Sequence, residues 1–353
     1  MQDEITQHIL KALNTEILGS DISTQSTENL DAHNAYLLGR FHLDRWELEQ
    51  AMQFYEQAIS HDPKYVDALA GLAVVHVTLI GLELHLADEH SSQARGFHER
   101  ALAIDPMHVE TRILSALLYY LVDQDYQRAI NEIDPLIRQY PTNPDLLDYY
   151  GWMLVTLFQF ERAIEVFDQG LKASPLHAVS HLDRGIALSF LGRHDEASDA
   201  YRMAEKFGYK VGWNIAYFAL AQDDVDGVQA QLDRGREAWF SVQNYTLHEA
   251  LVAQMKGDRN QVKAILDSLQ QESADQLGTA VIQKAMLEQN VELALSYFEQ
   301  SVQKSTALSI FFRNPSGAFM AKFYAHPEYE RILREAGLDD ESIARLEFPP
   351  LPF

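Results

Sequence analysis

The stretch ERAIEVFDQGLKASP, residues 161–175, decides the fold. Ala163, Phe167 and Gly170 stand at i, i+4 and i+7, one stripe of a helix, and Pro175 lies where that helix must stop. The same arrangement returns in EQAMQFYEQAISHDP (49–63), with Ala51, Tyr55, Ala58 and Pro63. It returns again in SQARGFHERALAIDP (92–106), with Ala94, His98, Ala101 and Pro106. The alanine column runs on through Ala129 and Ala197, with gaps of 43, 35, 34 and 34 residues. Twelve positions upstream a second column holds Gly39, Gly151 and Gly185, with Leu117 in that place in the third unit. A period near 34 marks a helical solenoid built from two-helix units. Within a unit, Ala163 must be small because a neighbouring helix crosses there, and Phe167 fills the space beside it. Gly151 is the contact of first helix with second, and Gly170 lets its helix approach the successor.

These columns resemble the tetratricopeptide repeat, TPR, whose pattern sets Leu-Gly, then an aromatic, Ala, an aromatic, Ala and Pro. Leu38-Gly39, Ala51, Tyr55, Ala58 and Pro63 match it in the first unit. Leu147, Gly151, Ala163, Phe167, Gly170 and Pro175 match it in the fourth. The resemblance implies an all-α chain, a right-handed α-solenoid of TPR and TPR-like helix pairs. Five units span 32–211, with the extra residues of unit two inserted near 79–92. Degenerate pairs follow over 212–310, and closing helices with a Pro-rich tail over 311–353. Ahead of the array, Ile5, Ile9, Ala12 or Leu13, and Ile17 predict an amphipathic helix over 1–18, and 19–31 is a polar linker. The start of the array also resembles the TPR half of bacterial winged-helix transcription regulators and of TPR-bearing nucleotidyl cyclases. Neither a basic recognition helix nor cyclase metal carboxylates precede residue 32.

The 353 residues carry a formal charge of −24. Phosphate needs a basic footprint, so direct nucleic-acid binding is excluded, and anionic lipid is repelled. With no cysteine there are no disulfides, Cys-zinc sites or thiol nucleophiles. No signal peptide is visible in MQDEITQHILKAL, and ALAGLAVVHVTLIGL (68–82) is too short to span a bilayer. The expectation is a cytoplasmic protein without membrane insertion, or a periplasmic one if it is a fragment of a membrane regulator.

No metal is expected. His85 and His90 of HLADEH stand at i and i+5, off a shared face, in a stretch that reads as a solvated loop. His76 reads as a buried, hydrogen-bonded histidine. Nucleophile elbows and glycine-rich phosphate loops are lacking, so no catalytic residue and no cofactor is assigned. What remains is the concave face. The inward positions that the resemblance implies are Tyr36, Arg40, Leu43, Asp44, Asp67, Val74, Leu114, Leu118, Asp145, Asp148, Trp152, Leu182 and Ile186. They read as an apolar trough with acidic rims and a single basic residue, Arg40. The Lys/Asn set with which some TPR domains grip a carboxylate is missing. The predicted function is non-catalytic: a scaffold or sensor binding a peptide or protein segment, in bacterial signalling or transcription regulation. The chain's own N-terminal helix or C-terminal tail is the rival occupant of the trough, and two alternatives in function stay open. One is a small-molecule sensor, or an enzyme, with a pocket around Tyr119, Tyr149, Trp152 and Trp213. The other is a homodimer through the trough or an array end.

Overall fold

The computed structural model describes residues 27–82, 86–220, 222–239, 242–269, 281–304 and 317–353. The expected helix over 1–18 and most of the linker lie outside them. Among the described residues there is no strand. Ten helices form five antiparallel pairs: α1 Leu30–Leu43 with α2 Leu48–His61, α3 Val66–Leu82 with α4 Ala87–Ile104, α5 Val109–Leu121 with α6 Tyr126–Gln139, α7 Pro144–Thr156 with α8 Phe160–Ala173, and α9 Ala178–Phe190 with α10 His194–Lys206. Shorter pairs follow: α11 Gly212–Leu220 with α12 Val225–Leu232, α13 Val242–Met255 with α14 Arg259–Ser268, and α15 Val281–Glu288 with α16 Val291–Lys304. Three helices close the array: α17 Gly317–Tyr324, α18 Pro327–Glu335 and α19 Asp340–Ala344. This is the expected right-handed α-solenoid of helix pairs. The insertion in unit two lengthens both helices, to 17 and 18 residues against 13 or 14 in the neighbouring units. Ala87–His90 therefore belongs to α4 rather than to a solvated loop.

Glycine and aromatic interlock as size dictates. A Cβ on Gly151 would stand 2.4 Å from Phe167, and one on Gly185 would stand 2.6 Å from Tyr201. The Tyr55 ring lies between Gly39 and Gly71, at 2.7 Å from the Cβ of either. Unit three solves the same problem with opposite sizes, Leu117 in the glycine column and Ile133 in the aromatic one, both in the core. Gly170 differs from its expected role. Its Cβ would meet Leu147 of its own unit at 3.4 Å, an ordinary contact, so it faces α7 rather than the following unit.

The turns inside the pairs share one geometry. Trp46, Gln124, Phe158, Gly192, Asp223, Gly257 and Gln289 all take positive φ between 53° and 81°. In six of these turns the amide just after the positive-φ residue bonds the carbonyl five residues back, as in Gln159 to Leu154, Arg193 to Leu188, Asp258 to Ala253 and Asn290 to Ala285, at 2.8–2.9 Å. That is the Schellman closure of a helix, repeated through the degenerate units.

The last helices return to the early units. Lys304 pairs with Asp88 at 2.5 Å, and the Tyr126 hydroxyl donates to Ala336 O at 3.0 Å. The tail then runs along α6 and α8. Gln127 and Glu347 exchange bonds of 2.8 and 3.2 Å, Arg138 donates to Pro350 O at 2.9 Å, and Arg162 donates to Pro349 O.

Candidate functional site

The inner wall is built by the first helices, and it is narrow. Arg40 on α1 donates to Asp145 on α7 at 2.6 Å, three units away in sequence. At one end the α1–α2 turn reaches the segment before α11, with Trp46 and Tyr209 ring centroids 6.3 Å apart. Between these contacts the wall is acidic. Asp67, Glu110 and Asp145 are each the second residue of α3, α5 and α7. A helix N-terminus favours a carboxylate there, so local energetics and the lumen ask for the same residue.

His177, at the start of α9, organises the centre. Its Nε2 lies 3.5 Å from Asp145 Oδ1, and its Nδ1 is 2.7 Å from Ser180 Oγ, which donates to Asp148 Oδ1 at 2.6 Å. The ionisation follows from these partners. Burial would push Asp145 up, but Arg40 and His177 outweigh it and hold the carboxyl well below the usual range. Burial would push His177 down, but the bond to Asp145 with the charges of Asp148 and Asp44 raises it to about 9, so it is a cation at neutral pH. Elsewhere burial wins. Asp148 is pushed up to about 6, and Glu110 to about 8 with help from Asp145 and Asp67. Burial also raises Asp44, and burial with neighbouring Asp148 raises Asp183 well above the carboxylate range.

The residues expected on the concave face divide into two sets. Tyr36, Arg40, Asp44, Asp145 and Trp152 are half-buried, and Asp148 is buried beside His177. Val74, Leu114, Leu118, Leu182 and Ile186 lie in the continuous core. First helices of successive units pack on one another, α3 on α5 and α7 on α9, and these side chains are enclosed in the contact. The accessible wall is therefore polar and aromatic rather than an apolar trough. Glu110, His177 and Asp183 belong with it and were not foreseen, and Tyr149, expected only in a small-molecule pocket, belongs with it too. For Glu110 a signal existed, an acid at the second residue of the helix as in α3 and α7.

The aromatics considered for a small-molecule pocket have separate engagements. Arg128 covers Tyr119 at 3.8 Å, and Trp213 stacks on Tyr217 with centroids 5.6 Å apart. A cleft of about 620 Å³ opens instead among α13, α14 and α15, lined by Gln254, Gly257, Lys263, Lys284 and Glu288. His76 is buried as expected and bonds His90 through Nδ1 to Nδ1 at 3.1 Å. Burial and His90 lower His76 to about 4, which keeps it neutral. Among the described residues no three His, Cys, Asp or Glu groups converge as metal ligands, and no described helix is long and apolar enough to cross a membrane.

Helix pairs stacked in series, with their first helices turned to a common lumen, define a repeat solenoid of the kind that generally mediates protein–protein interaction. The particular repeat is named by comparison: residues 32–65 match the family model of the tetratricopeptide repeat. Among solved structures, human IFIT1, as a dimer with PPP-AAAA, superposes with a TM-score of 0.56. The match covers 94% of this chain and 78% of that one at 15% identity, and it shows the fold. A tetratricopeptide repeat protein of Parabacteroides merdae gives a TM-score of 0.44 at 13% identity, over 75% of this chain and 99% of its own. YrrB, a TPR protein with an unusual peptide-binding site, gives 0.29 at 16% identity, over 56% and 93%.

Proposed function

We propose that the chain is a non-catalytic interaction scaffold whose inner wall, over the first five units, receives a peptide or protein segment. The setting we propose is bacterial signalling or transcription, where the sequence resemblance of the first units points. One observation carries the reading. Half-buried aromatic and charged groups from separate units, Tyr36 on α1, Glu110 on α5 and Tyr149 on α7, share one electrostatic environment around Arg40 and Asp145. A preformed wall of that kind can engage successive residues of an extended segment. The chain's own Pro-rich tail does not compete for it, because that tail is bonded to α6 and α8. The carboxylates also disfavour a polyanion such as the PPP-AAAA bound to IFIT1.

The test is selection of random displayed peptides on the full chain, followed by titration of those enriched. Tyr36→Ala with Tyr149→Ala should weaken them at least about tenfold, as loss of aromatic anchors does, with the helical circular dichroism unchanged. Equal affinity for the doubly substituted protein refutes the placement on the inner wall.

A further inference from the structure

Residues 347–353, EFPPLPF, lie against the second helices α6 and α8, away from the inner wall that the first helices build. Every hydrogen bond that holds them goes to their backbone. The Gln127 side-chain amide accepts from Glu347 N at 2.8 Å and donates to Glu347 O at 3.2 Å, as a neighbouring strand would. Arg138 donates to Pro350 O at 2.9 Å, and Arg162 donates to Pro349 O. Proline has no amide to offer, so its carbonyl is the backbone group by which it can be held. Two arginines on successive second helices thus serve two successive proline carbonyls. The receiving side is fixed by the array itself: Asp134 grips the Arg138 guanidinium at 3.0 and 3.2 Å, and Arg162 reaches the Tyr150 hydroxyl at 3.4 Å. The side chains of the segment add apolar and aromatic contact. Phe348 and Leu351 are half-buried against the core, with the Arg162 guanidinium 5.9 Å from the Phe348 ring, whereas Glu347, Pro350, Pro352 and Phe353 are exposed. One donor is left over. Arg162 Nε is buried and has no acceptor, a state that native structures rarely tolerate. The groove therefore reads an extended proline-bearing backbone rather than one exact sequence, and its present occupant does not exhaust it.

We propose that the α6–α8 groove is a second interaction site, which takes an extended proline-rich segment of a partner protein and which residues 347–353 of the chain itself fill in that partner's absence. The exchange asks no refolding of the array, because the segment is neither helix nor strand and is held by four hydrogen bonds to three side chains. Joined to the array at Leu346, the segment competes at an effective concentration on the order of millimolar, as short flexible links do. A partner enters by binding more tightly, and an acceptor set against Arg162 Nε is one means of doing so. The site is independent of the inner wall.

The test uses full-length chains and the fluorescein-labelled peptide EFPPLPF, read by fluorescence anisotropy. Phe348→Ser with Leu351→Ser unseats the chain's own segment by removing its apolar contacts, and circular dichroism checks that the helices persist. This variant should bind the peptide at least about tenfold more tightly than the natural chain, where the tethered copy competes. Adding Arg138→Ala and Arg162→Ala should weaken it again at least about tenfold, the scale of two lost hydrogen bonds from charged groups. The peptide EFAALAF, which must be ordered from a freer ensemble, should bind at least about fivefold more weakly. Tyr36→Ala with Tyr149→Ala should leave this binding unchanged, which separates the groove from the inner wall. Equal binding by the natural and unseated chains, or no effect of the two arginine substitutions, places the peptide elsewhere and overturns the proposal. Equal affinity for EFAALAF overturns the selection of proline. Loss of the helical signal in the unseated chain, or no binding by it when folded, makes the segment a fixed strut of the array rather than a replaceable occupant. If light scattering shows the natural and unseated chains pairing when mixed, the occupant is a second copy and a foreign segment is wrong.

Discussion

Gly151 and Gly170 lie in the same helix pair, and the same substitution at each should have opposite effects. A Cβ at Gly151 would stand 2.4, 2.6 and 2.8 Å from three ring atoms of Phe167, whereas carbon atoms rest at about 3.5–4.0 Å. Phe167 is fully buried, so its ring has no solvent to move into. Overpacking of this kind costs roughly 1–3 kcal/mol. At Gly170 the new Cβ meets Leu147 Cβ at 3.4 Å, a normal contact. Both sites are helical, so alanine brings each about 1 kcal/mol of helix propensity, which cancels in the comparison. Gly151→Ala should therefore be less stable than Gly170→Ala by roughly 1–3 kcal/mol, the overpacking cost itself. Urea unfolding followed by circular dichroism measures the difference, with the slopes checked for equality. Adding Phe167→Leu to Gly151→Ala should recover part of the loss, because a shorter side chain vacates the space. Equal stability of the two single variants, or no coupling in the double one, refutes the glycine–aromatic interlock.

Three other outcomes are expected. Arg40→Met leaves Asp145 without its main partner and should cost roughly 1–3 kcal/mol, below the fully buried case because Arg40 is 29% exposed; adding Asp145→Leu should restore most of it in the same unfolding assay. The thermal midpoint should fall as pH rises from 6.5 to 9. His177 has its folded value raised from 6.5 to about 9, so its stabilisation is complete below 6.5 and lost through 9, and Glu110, raised from 4.5 to about 8, becomes a penalty over 4.5 to 8; differential scanning fluorimetry of His177→Gln and Glu110→Gln should show a flatter profile, and an unchanged one contradicts the assignment. Deleting residues 347–353 removes the bonds to Gln127, Arg138 and Arg162 and should speed amide hydrogen exchange in α6 and α8 ahead of α2.

The helix pairs were legible because small-residue columns are steric demands, and Gly39, Gly151 and Gly185 each face the ring that the spacing places there. The inner wall was half legible. Its position followed from the family's inward columns, but those columns do not say how deeply each side chain sits. Leu114 and Leu118 fall on an inward column and are nonetheless enclosed between first helices. Asp183 and His177 gain their meaning from Asp148 and Asp145 in the preceding unit, a relation that spacing within one unit does not carry. The turns hid a regularity as well. Trp46, Gln124 and Phe158 occupy the left-handed position that Gly192 and Gly257 occupy later, and residue type alone conceals it.

Solenoids ordinarily evolve by gaining or losing whole modules, since each touches only its neighbours. The return of the last helices to α4, α6 and α8 removes that freedom here. Inserting one more pair would carry Tyr126 away from Ala336 and Arg138 away from Pro350 by about the width of a helix, roughly 8–10 Å. The chain thus measures its own length, and duplications inside the array should be rare among its descendants while changes on its inner wall remain free.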